Sequence, residues 1–247
     1  MIFNGDSLRF LESCDHYTCM IADIPDNIGL KYDGFVDKIH DYYGWVDKLV
    51  TAALSKCDIF WLTYNYIHDL EISALVRKHK RAKRKLIWHY TFGQYQDNAF
   101  TNCYRPIIVF GDNLNYNGIR VTSSRMALGD SRAAGPKVPG DVWEFPRVVG
   151  NSQERRAWHP TQLPEALVMR MIILSCMRTE SGRTEPIGDC CDLFMGSGTS
   201  LIACQKLGVD CDGVDISLKY CEKVTRYLGK HCAIAPVRLG HAHLPNA

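Results

Sequence analysis

The chain has 247 residues, of which 46% are hydrophobic and 23% are charged, and its formal net charge is +2. This composition fits one globular domain that buries its own core, and it excludes a disordered or disulfide-framed protein. Eleven cysteines without any Cys-x-x-Cys pair argue against a zinc cage, and such thiols are typical of a reducing cytoplasm. Neither a secretory signal nor a membrane-spanning stretch is expected, so a membrane is not a predicted partner. A metal is not a predicted partner either, because the cysteine spacing does not favour a zinc site.

Apolar, β-branched runs alternate along the chain with segments of helical period, which predicts βα units around a mainly parallel sheet. Residues 42–57 are predicted to form a helix because Trp45, Leu49 and Ala53 share one face. A second helix is expected over residues 67–80. The strands predicted in this half cover residues 17–22, 58–63, 85–91 and 106–110.

From Gly111 to Trp158 the chain is rich in Gly, Pro, Asn, Ser and Arg and has few apolar runs. A connection of this length inside a compact domain is usually functional or disordered. Regular structure returns at Pro164, with a predicted helix that ends near Met177. The elements expected after it are a strand over 187–193, a helix over 199–207 that Gly208 ends, a strand over 209–214 and a helix over 218–228.

Gly196 and Gly198 lie between a predicted strand and a predicted helix, where glycine permits a tight turn and close approach of a ligand to the backbone. The next strand ends at Asp215, and a carboxylate there suits two ribose hydroxyls. Leu201 occupies the third glycine position of a dinucleotide fingerprint, and no Gly-Lys-Ser/Thr follows, so neither pyrophosphate nor triphosphate is indicated. The pattern alone predicts a nucleoside site, and a tight turn beside an ordinary surface Asp is the alternative.

The segment Asp192-x-Phe194-x-Gly196-Ser197-Gly198-Thr199 resembles the S-adenosylmethionine loop of amino-group DNA methyltransferases. His159-Pro-Thr161 is similar to the segment that these enzymes place over the methionine end of the cofactor. The resemblance implies a Rossmann-like methyltransferase fold that is α/β, with Asp192 near the cofactor ammonium and Asp215 on its ribose. The cofactor residues that it implies are Asp6, His159, Thr161, Asp192, Phe194, Gly196, Ser197, Gly198, Thr199 and Asp215.

The tetrad Asp23-Ile24-Pro25-Asp26 stands where the family has Asp, Asn or Ser, two prolines and an aromatic residue. An exocyclic amine is a poor nucleophile because its lone pair is delocalised into the base ring. A carboxylate and a backbone carbonyl that accept its two N–H groups expose that lone pair to the methyl group. The resemblance assigns the carboxylate to Asp23 and the carbonyl to Ile24. It makes Asp23, Ile24, Pro25 and Asp26 the catalytic residues.

Asp26 departs from the family pattern because an aspartate cannot stack on a flipped base as an aromatic residue does. Three explanations stay open. A nearby aromatic residue stacks instead, or the enzyme is weakened or inactive, or the chain represents a subfamily with its own tetrad. The distinctive continuation over residues 27–32 favours the subfamily. The aromatic candidates are Tyr32, Phe35, Tyr42 and Tyr43.

The tetrad precedes the Gly- and Pro-rich segment, which in turn precedes His159 and the glycine loop. This is the permuted order called the β class. The resemblance covers nearly the whole chain except that segment and the C-terminal tail. It divides the chain into a catalytic half (1–110), a target-recognition insert (111–158), a cofactor-binding half (159–235) and a loose tail (236–247).

The insert carries a modest excess of positive charge, which is typical of a flexible surface loop or of DNA contact. A dense basic run over 77–85 has two similar interpretations, a solvated helix end or phosphate contact. Arginine suits phosphates and guanine edges. The resemblance implies double-stranded DNA as the partner, with a homodimer as a candidate assembly. The residues expected to contact DNA are Tyr32, Arg125, Arg132, Lys137, Arg155 and Arg156.

The predicted activity is methyl transfer from S-adenosylmethionine to the exocyclic amine of a flipped base, with S-adenosylhomocysteine as product. Adenine N6 is favoured over cytosine N4 because the tetrad begins with Asp, and ring-carbon methylation is disfavoured because no Pro-Cys dipeptide occurs. A weakened DNA-binding relative, an RNA methyltransferase and a nucleotide-dependent oxidoreductase are the alternatives. The expected location is the cytoplasm of a bacterial or phage-infected cell, in a restriction-modification or phage-type setting.

Overall fold

Residues 1–90, 93, 97–122, 135–231 and 239–241 are described by the computed structural model. The strands are β1 (Ile2–Asn4), β2 (Tyr17–Asp23), β3 (Lys31–Tyr32), β4 (Phe35–Val36), β5 (Cys57–Thr63), β6 (Lys83–His89), β7 (Tyr104–Phe110), β8 (Val142–Glu144), β9 (Met177–Glu180), β10 (Arg183–Pro186), β11 (Cys190–Asp192), β12 (Cys211–Asp215) and β13 (Leu239–His241). The helices are α1 (Ser7–Ser13), α2 (Tyr42–Lys56), α3 (Asp69–Leu75), α4 (Glu165–Cys176), α5 (Thr199–Leu207) and α6 (Leu218–His231). None of the helices described here has the length and apolarity needed to span a membrane.

Among the described residues, one sheet has nine strands in the order β13-β1-β12-β11-β2-β5-β7-β6-β8. All neighbouring strands pair in parallel except β7, which is antiparallel to both β5 and β6. The prediction of a mainly parallel sheet is therefore confirmed. Because β7 alone runs the other way, its first residues lie at the same edge as the last residues of the parallel strands.

Alternate residues of the central strands point to opposite faces of the sheet, and each face has its own core. Met20 and Phe60 pack with residues of α1, α2 and α3 on one face. Ile21 and Trp61 pack with residues of α4 and α5 on the other face. The central strands are apolar on both sides because both faces are covered. Packed cores on both faces therefore hold the strands whose carboxyl ends carry the polar groups.

Helix ends agree with the predicted boundaries where capping residues define them. Helix α5 begins at Thr199 and ends at Leu207, as predicted, because Gly208 adopts a φ of 69°. Helix α2 begins after Asp41, whose side chain accepts a hydrogen bond from the Gly44 N–H at 3.1 Å. Both helices bury one face against the sheet.

Two predicted elements are shorter in the structure. The helix expected over 67–80 is reduced to α3, which is flanked by short 3₁₀ turns, and like charges in the basic run that follows disfavour helix extension. The strand expected over 187–193 is reduced to β11. Asp189 interrupts the pairing because its carboxylate accepts the Thr18 N–H at 2.8 Å. The hairpins β3–β4 and β9–β10 were not predicted.

Three buried or half-buried thiols lie close together although no Cys-x-x-Cys spacing predicts it. The sulfur atoms of Cys190, Cys204 and Cys211 lie within 4.8 Å of one another. They come from β11, α5 and β12, and the ten cysteines among the described residues are free thiols. Cys190 and Cys204 pack inside the apolar core, where a thiol behaves as a small hydrophobic group. That no metal is bound here stays a prediction.

The Trp61 side chain should contribute strongly to stability because it is fully buried and its Nε1 donates to Ser175 Oγ at 2.7 Å. We expect Trp61→Ala to lower the free energy of unfolding by about 3–5 kcal/mol, as urea denaturation would measure. Leu70→Ala is the control, since Leu70 is 83% exposed. A loss below about 1 kcal/mol for Trp61→Ala would contradict the packing of this face.

Candidate active site

A cavity of about 310 Å³ opens at the edge of the sheet where β2 and β12 end. One wall is the segment from Asp23 to Asp26 that follows β2. The opposite wall is formed by Gly196 in the glycine loop and by Asp215 at the end of β12. The two motifs lie far apart in the sequence, and the order of the strands places them on one cavity.

Arg105, near the beginning of β7, binds both acidic residues of the tetrad. Its Nη2 and Nε donate to Asp23 Oδ1 at 2.7 and 3.1 Å, and its Nη1 donates to Asp26 Oδ1 at 2.8 Å. Thr63 Oγ1 donates to Asp23 Oδ1 at 2.5 Å and accepts from Arg105 Nε at 3.0 Å. Burial lowers the pKa of Arg105, but the two carboxylates raise it more, so its net pKa lies above the ordinary value and the guanidinium stays charged.

The carbonyls of the last two tetrad residues are occupied by other side chains. The Tyr42 hydroxyl donates to the Pro25 carbonyl at 2.7 Å. His68 Nε2 donates to the Asp26 carbonyl at 3.0 Å, so its Nδ1 accepts from the Tyr43 hydroxyl, also at 3.0 Å. Tyr42 and Tyr43 were candidates for stacking on a base. Tyr42 instead binds the tetrad backbone directly, Tyr43 supports it through His68, and neither lines the cavity.

Three acceptors of the tetrad have no donor among the described residues: Asp23 Oδ2, the Ile24 carbonyl and Asp26 Oδ2, since Arg105 binds only the other oxygen of Asp26. No donor in the described part of the chain reaches Asp23 Oδ2 or the Ile24 carbonyl, and both residues line the cavity. The Ile24 N–H donates to the Thr63 carbonyl at 3.1 Å, which extends the strand pairing by one residue and fixes the following peptide. Asp23 Oδ2 and the Ile24 carbonyl are therefore free to accept hydrogen bonds from a ligand in the cavity.

The aromatic candidates that line the cavity are Tyr32 and Phe35, on the two strands of the β3–β4 hairpin. The Tyr32 ring centroid lies 6.4 Å from that of Phe35 and 5.6 Å from that of His159. Asp33, in the turn of the hairpin, accepts from Ser217 Oγ at 3.0 Å. The hairpin is therefore attached to the residue that precedes α6, and it joins the two walls of the cavity.

The glycine loop needs glycine at position 196. Gly196 has a φ of 44°, and a Cβ there would lie 2.6 Å from His159 Nε2. Its N–H donates to Asp215 Oδ2 at 2.9 Å, while the Ser217 N–H donates to Asp215 Oδ1 at 2.8 Å. Each carboxylate oxygen keeps a further lone pair, so Asp215 can still accept two ligand hydroxyls. Burial raises the pKa of Asp215 to about 6.

His159 forms part of the cavity wall between the two motifs. Its Nδ1 is hydrogen-bonded to the Thr161 carbonyl, and its ring centroid lies 4.8 Å from that of Tyr220. Burial lowers the pKa of His159 below its ordinary value, which favours a neutral ring at this position. Thr161, Asp6 and Phe194 also line the cavity, as expected for residues that contact a ligand there.

The other residues of the glycine-loop motif lie behind the cavity wall. Asp192 Oδ1 accepts the Phe194 N–H at 2.9 Å, and its Oδ2 accepts the Ser200 hydroxyl. Burial raises the pKa of Asp192 to about 7. These contacts turn the carboxylate into the protein, so it shapes the loop from behind. The motif residues that do not line the cavity are Asp192, Ser197, Gly198 and Thr199.

The residues expected to contact DNA have different surroundings. Lys137 is exposed, and Arg155 is half-buried with its Nη2 donating to the Pro160 carbonyl at 3.3 Å. Arg156 is only 3% exposed and donates to Thr199 Oγ1 at 3.1 Å. Its burial is incompatible with the predicted phosphate contact, and we correct its role to support of the glycine loop. Two further candidates, Arg125 and Arg132, lie outside the described residues.

Sequence reasoning missed Arg105, although the sequence carried a signal for it. Arg105 directly precedes the apolar run of residues 106–110, and a charged residue in a buried strand requires a partner. The antiparallel direction of β7 was also needed, because it places Arg105 beside Asp23 and Thr63. Ser217 and Tyr220, which also line the cavity, carried no comparable signal.

Comparison with known proteins agrees with this geometry. A family model described as DNA methylase, N6_N4_Mtase, matches residues 18–226. DNA adenine methyltransferase YhdJ of Escherichia coli (strain K12) is 28% identical over 249 residues, which cover 92% of this chain and 82% of that protein.

Two solved structures share the fold. PvuII DNA methyltransferase (cytosine-N4-specific) has a TM-score of 0.66 at 14% identity and covers 93% of this chain and 91% of its own. TTHA0409 of Thermus thermophilus, complexed with S-adenosyl-L-methionine, has a TM-score of 0.62 at 14% identity and covers 99% of both chains. The Rossmann-like methyltransferase fold is thereby confirmed.

The family match spans most of the chain, and the tetrad and the glycine loop face each other across one cavity. The cradle around Gly196 and the free lone pairs of Asp215 fit a nucleoside cofactor. The chain therefore belongs to the DNA methylase family and is an S-adenosylmethionine-dependent DNA amino-methyltransferase.

Proposed function

We propose that this enzyme methylates the N6 amine of an adenine that is flipped out of double-stranded DNA, and that Asp23 and Ile24 bind this amine. The observation that carries the proposal is the pair of acceptors without protein donors, Asp23 Oδ2 and the Ile24 carbonyl, among the residues that the structure describes. An exocyclic amine has two N–H groups to donate. When both are bound, its lone pair is exposed to an electrophile in the same cavity.

The opposite wall is suited to the methyl donor. Asp215 is the proposed acceptor for the ribose hydroxyls, because each of its oxygens has a lone pair that the backbone does not use. The backbone around Gly196, with His159 and Thr161, is proposed to hold the methionine end. S-adenosylmethionine supplies an electrophilic methyl group when it is bound. S-adenosylhomocysteine remains after transfer, and the methylated amine loses one N–H proton to solvent or to a neighbouring group.

Adenine is the proposed base, and N4 of cytosine is the second candidate. Both amines present two N–H groups to the acceptors Asp23 and Ile24, so this pair does not separate them. The Asp that opens the tetrad favours adenine, and the similar protein YhdJ is named an adenine methyltransferase. The similarly folded PvuII enzyme is named cytosine-N4-specific, which keeps cytosine as the alternative.

DNA contact is proposed for the insert over residues 111–158 and for the segment before His159. Among the cations that the sequence predicts to contact DNA, Lys137 is exposed and Arg155 is half-buried. DNA contact by Arg125 and Arg132 stays a prediction. Phosphate contacts of this kind position a duplex without reading its sequence. A cytoplasmic, homodimeric enzyme of a restriction-modification or phage-type system is the setting that we propose.

Incubation with DNA and S-adenosylmethionine, followed by mass spectrometry of the nucleosides, tests the proposal. We expect N6-methyldeoxyadenosine as the product. Asp23→Ala should lower the single-turnover rate about 100- to 1000-fold, because it removes an acceptor that holds the attacking amine. Asp58→Ala is a matched control, since Asp58 lies at the opposite end of β5 with its side chain 65% exposed.

N4-methyldeoxycytidine as product would move the proposal to cytosine. Cofactor binding without transfer to any DNA would instead support a catalytically weakened DNA-binding relative. Cofactor binding is read from the thermal shift that S-adenosylmethionine produces. Methylation of RNA in preference to DNA, in a competition between the two, would overturn the choice of substrate.

The affinity for S-adenosylmethionine should weaken as the pH falls through about 6. Burial raises the pKa of Asp215 to about 6, and only the ionised carboxylate can accept two hydroxyls through both oxygens. Between pH 7 and pH 5 we expect calorimetry to show a loss of about tenfold. Asp215→Asn should bind weakly at every pH, whereas Asp210→Asn, at an exposed position, should keep the wild-type profile. Equal pH profiles for wild type and Asp215→Asn would contradict the assignment.

Tyr32 is the proposed stacking residue in place of the aromatic residue that the tetrad lacks. We expect Tyr32→Ala to weaken the flipped state by about 5- to 150-fold, which corresponds to one base stacked on one ring. Tyr32→Phe keeps the ring and should retain most of this contact. The fluorescence of 2-aminopurine at the target position measures flipping. Equal fluorescence for Tyr32→Ala and wild type would direct the search to Phe35.

A further inference from the structure

Arg105 has hydrogen-bond donors that the protein does not use. A guanidinium carries five N–H groups. Three of them are bound, because Nε is shared by Asp23 and Thr63, Nη2 is bound to Asp23, and Nη1 is bound to Asp26. The remaining two belong to Nη1 and Nη2, and no acceptor in the described part of the chain reaches them. Arg105 also lines the cavity, so these two donors are available to a ligand.

The guanidinium is held in a fixed position. It binds one oxygen of Asp23 through two nitrogens and Asp26 through the third, and its side chain is only 16% exposed. A planar fork bound on two sides has little rotational freedom left. The unused donors belong to the two nitrogens that bind Asp23 and Asp26, so their directions are fixed before a base enters the cavity.

The tetrad and Arg105 together present a specific hydrogen-bonding pattern. Asp23 Oδ2 and the Ile24 carbonyl can accept, and Arg105, which is bound to the other oxygen of Asp23 and lines the same cavity, can donate. Adenine and cytosine carry the complementary groups side by side, because an exocyclic amine is adjacent to an unprotonated ring nitrogen. That nitrogen is N1 in adenine and N3 in cytosine. Thymine has no exocyclic amine and has a ring N–H at N3. Guanine has a ring N–H at N1, on its Watson–Crick edge, and its amine neighbours an unprotonated nitrogen only at N3, so the pattern excludes guanine when that base is bound by its Watson–Crick edge.

We propose that Arg105 recognises the target base by donating to the ring nitrogen beside the amine that is methylated, and that Asp26 holds Arg105 in place for this contact. This inference rests on the proposed function of the same cavity. It gives the acidic fourth position of the tetrad a task that an aromatic residue could not perform. Asp26 neutralises and orients a cation that reads the base edge.

The inference is tested with duplexes that carry a base analogue at the target position, which is located by mapping the methylated product. 1-Deazaadenine lacks N1 and keeps the amine, whereas 7-deazaadenine lacks N7 and keeps N1. For the wild type we expect 1-deazaadenine to lower kcat/KM about 10- to 100-fold relative to 7-deazaadenine, because a charge-assisted hydrogen bond is lost. If the product is N4-methylcytosine, 3-deazacytosine replaces 1-deazaadenine.

Variants show whether Arg105 is the donor. Arg105→Met should be slower on normal DNA and should lose most of the discrimination between the two analogues. Comparing the analogue ratio of this variant with that of the wild type corrects for the changed reactivity of the amine, because that change affects both enzymes equally. Arg105→Lys keeps the charge but not the planar fork of donors, so its discrimination between the analogues should lie between that of the wild type and that of Arg105→Met. Arg178→Gln is the matched control, because Arg178 is 63% exposed on the β9–β10 hairpin.

The outcomes separate this inference from the proposed function. Transfer to normal DNA with equal kcat/KM for both analogues would overturn the role of Arg105 and leave the proposed function standing. The same discrimination in Arg105→Met as in the wild type would also overturn it. No transfer by the wild type to any DNA would overturn the proposed function and this inference with it. The comparison of the two analogues with the wild type does not depend on whether Arg105→Met folds. If Arg105→Met does not fold, the double variant Asp26→Asn/Arg105→Met restores the local charge balance and replaces it.

Discussion

The ion cluster of Arg105, Asp23 and Asp26 is the interaction on which the active site depends. Removing charged groups from water is costly, and two nearby carboxylates repel each other, so each member is tolerable only with the others present. The cation shared at 2.7 and 2.8 Å compensates both carboxylates at once. The reversed direction of β7 brings this cation to the edge where β2 ends. The geometry of the tetrad therefore depends on the topology of the sheet.

The two walls of the cavity are physically coupled through the β3–β4 hairpin. Asp33 in its turn binds Ser217, whose backbone N–H also binds Asp215. Tyr32 on the same hairpin contacts His159, which packs against the glycine loop. A ligand bound at one wall would thus stabilise the position of side chains at the other. This coupling is appropriate to a reaction in which a donor and an acceptor must meet in one cavity.

Much of the fold could be predicted from local pattern, because buried strands and capped helices have short-range signals. The helix from Thr199 to Leu207 and the strand that ends at Asp215 are examples. The β3–β4 hairpin gave no such signal, since its strands have two residues each. The role of Asp26 could not be inferred because its partner Arg105 is distant in sequence and depends on strand direction. Arg156 was misassigned because charge alone does not reveal burial.

On this proposal, the departure of the tetrad from the family pattern is a different division of roles among the residues of one cavity. Asp23 Oδ2 and the Ile24 carbonyl have no donors in the described part of the chain, and two N–H groups of Arg105 have no acceptors there. Such unpaired polar groups lower the stability of the protein unless a ligand or water binds them. Polar groups without hydrogen-bond partners in the protein are retained at sites where a ligand has to bind them. Asp23, Ile24 and Arg105 line the same cavity, and we propose that their unused acceptors and donors bind the edge of an amino-bearing base. Aspartate at position 26 is thus consistent with an active enzyme, because it binds the cation of the proposed pattern, and the rings of Tyr32 and Phe35 line the same cavity.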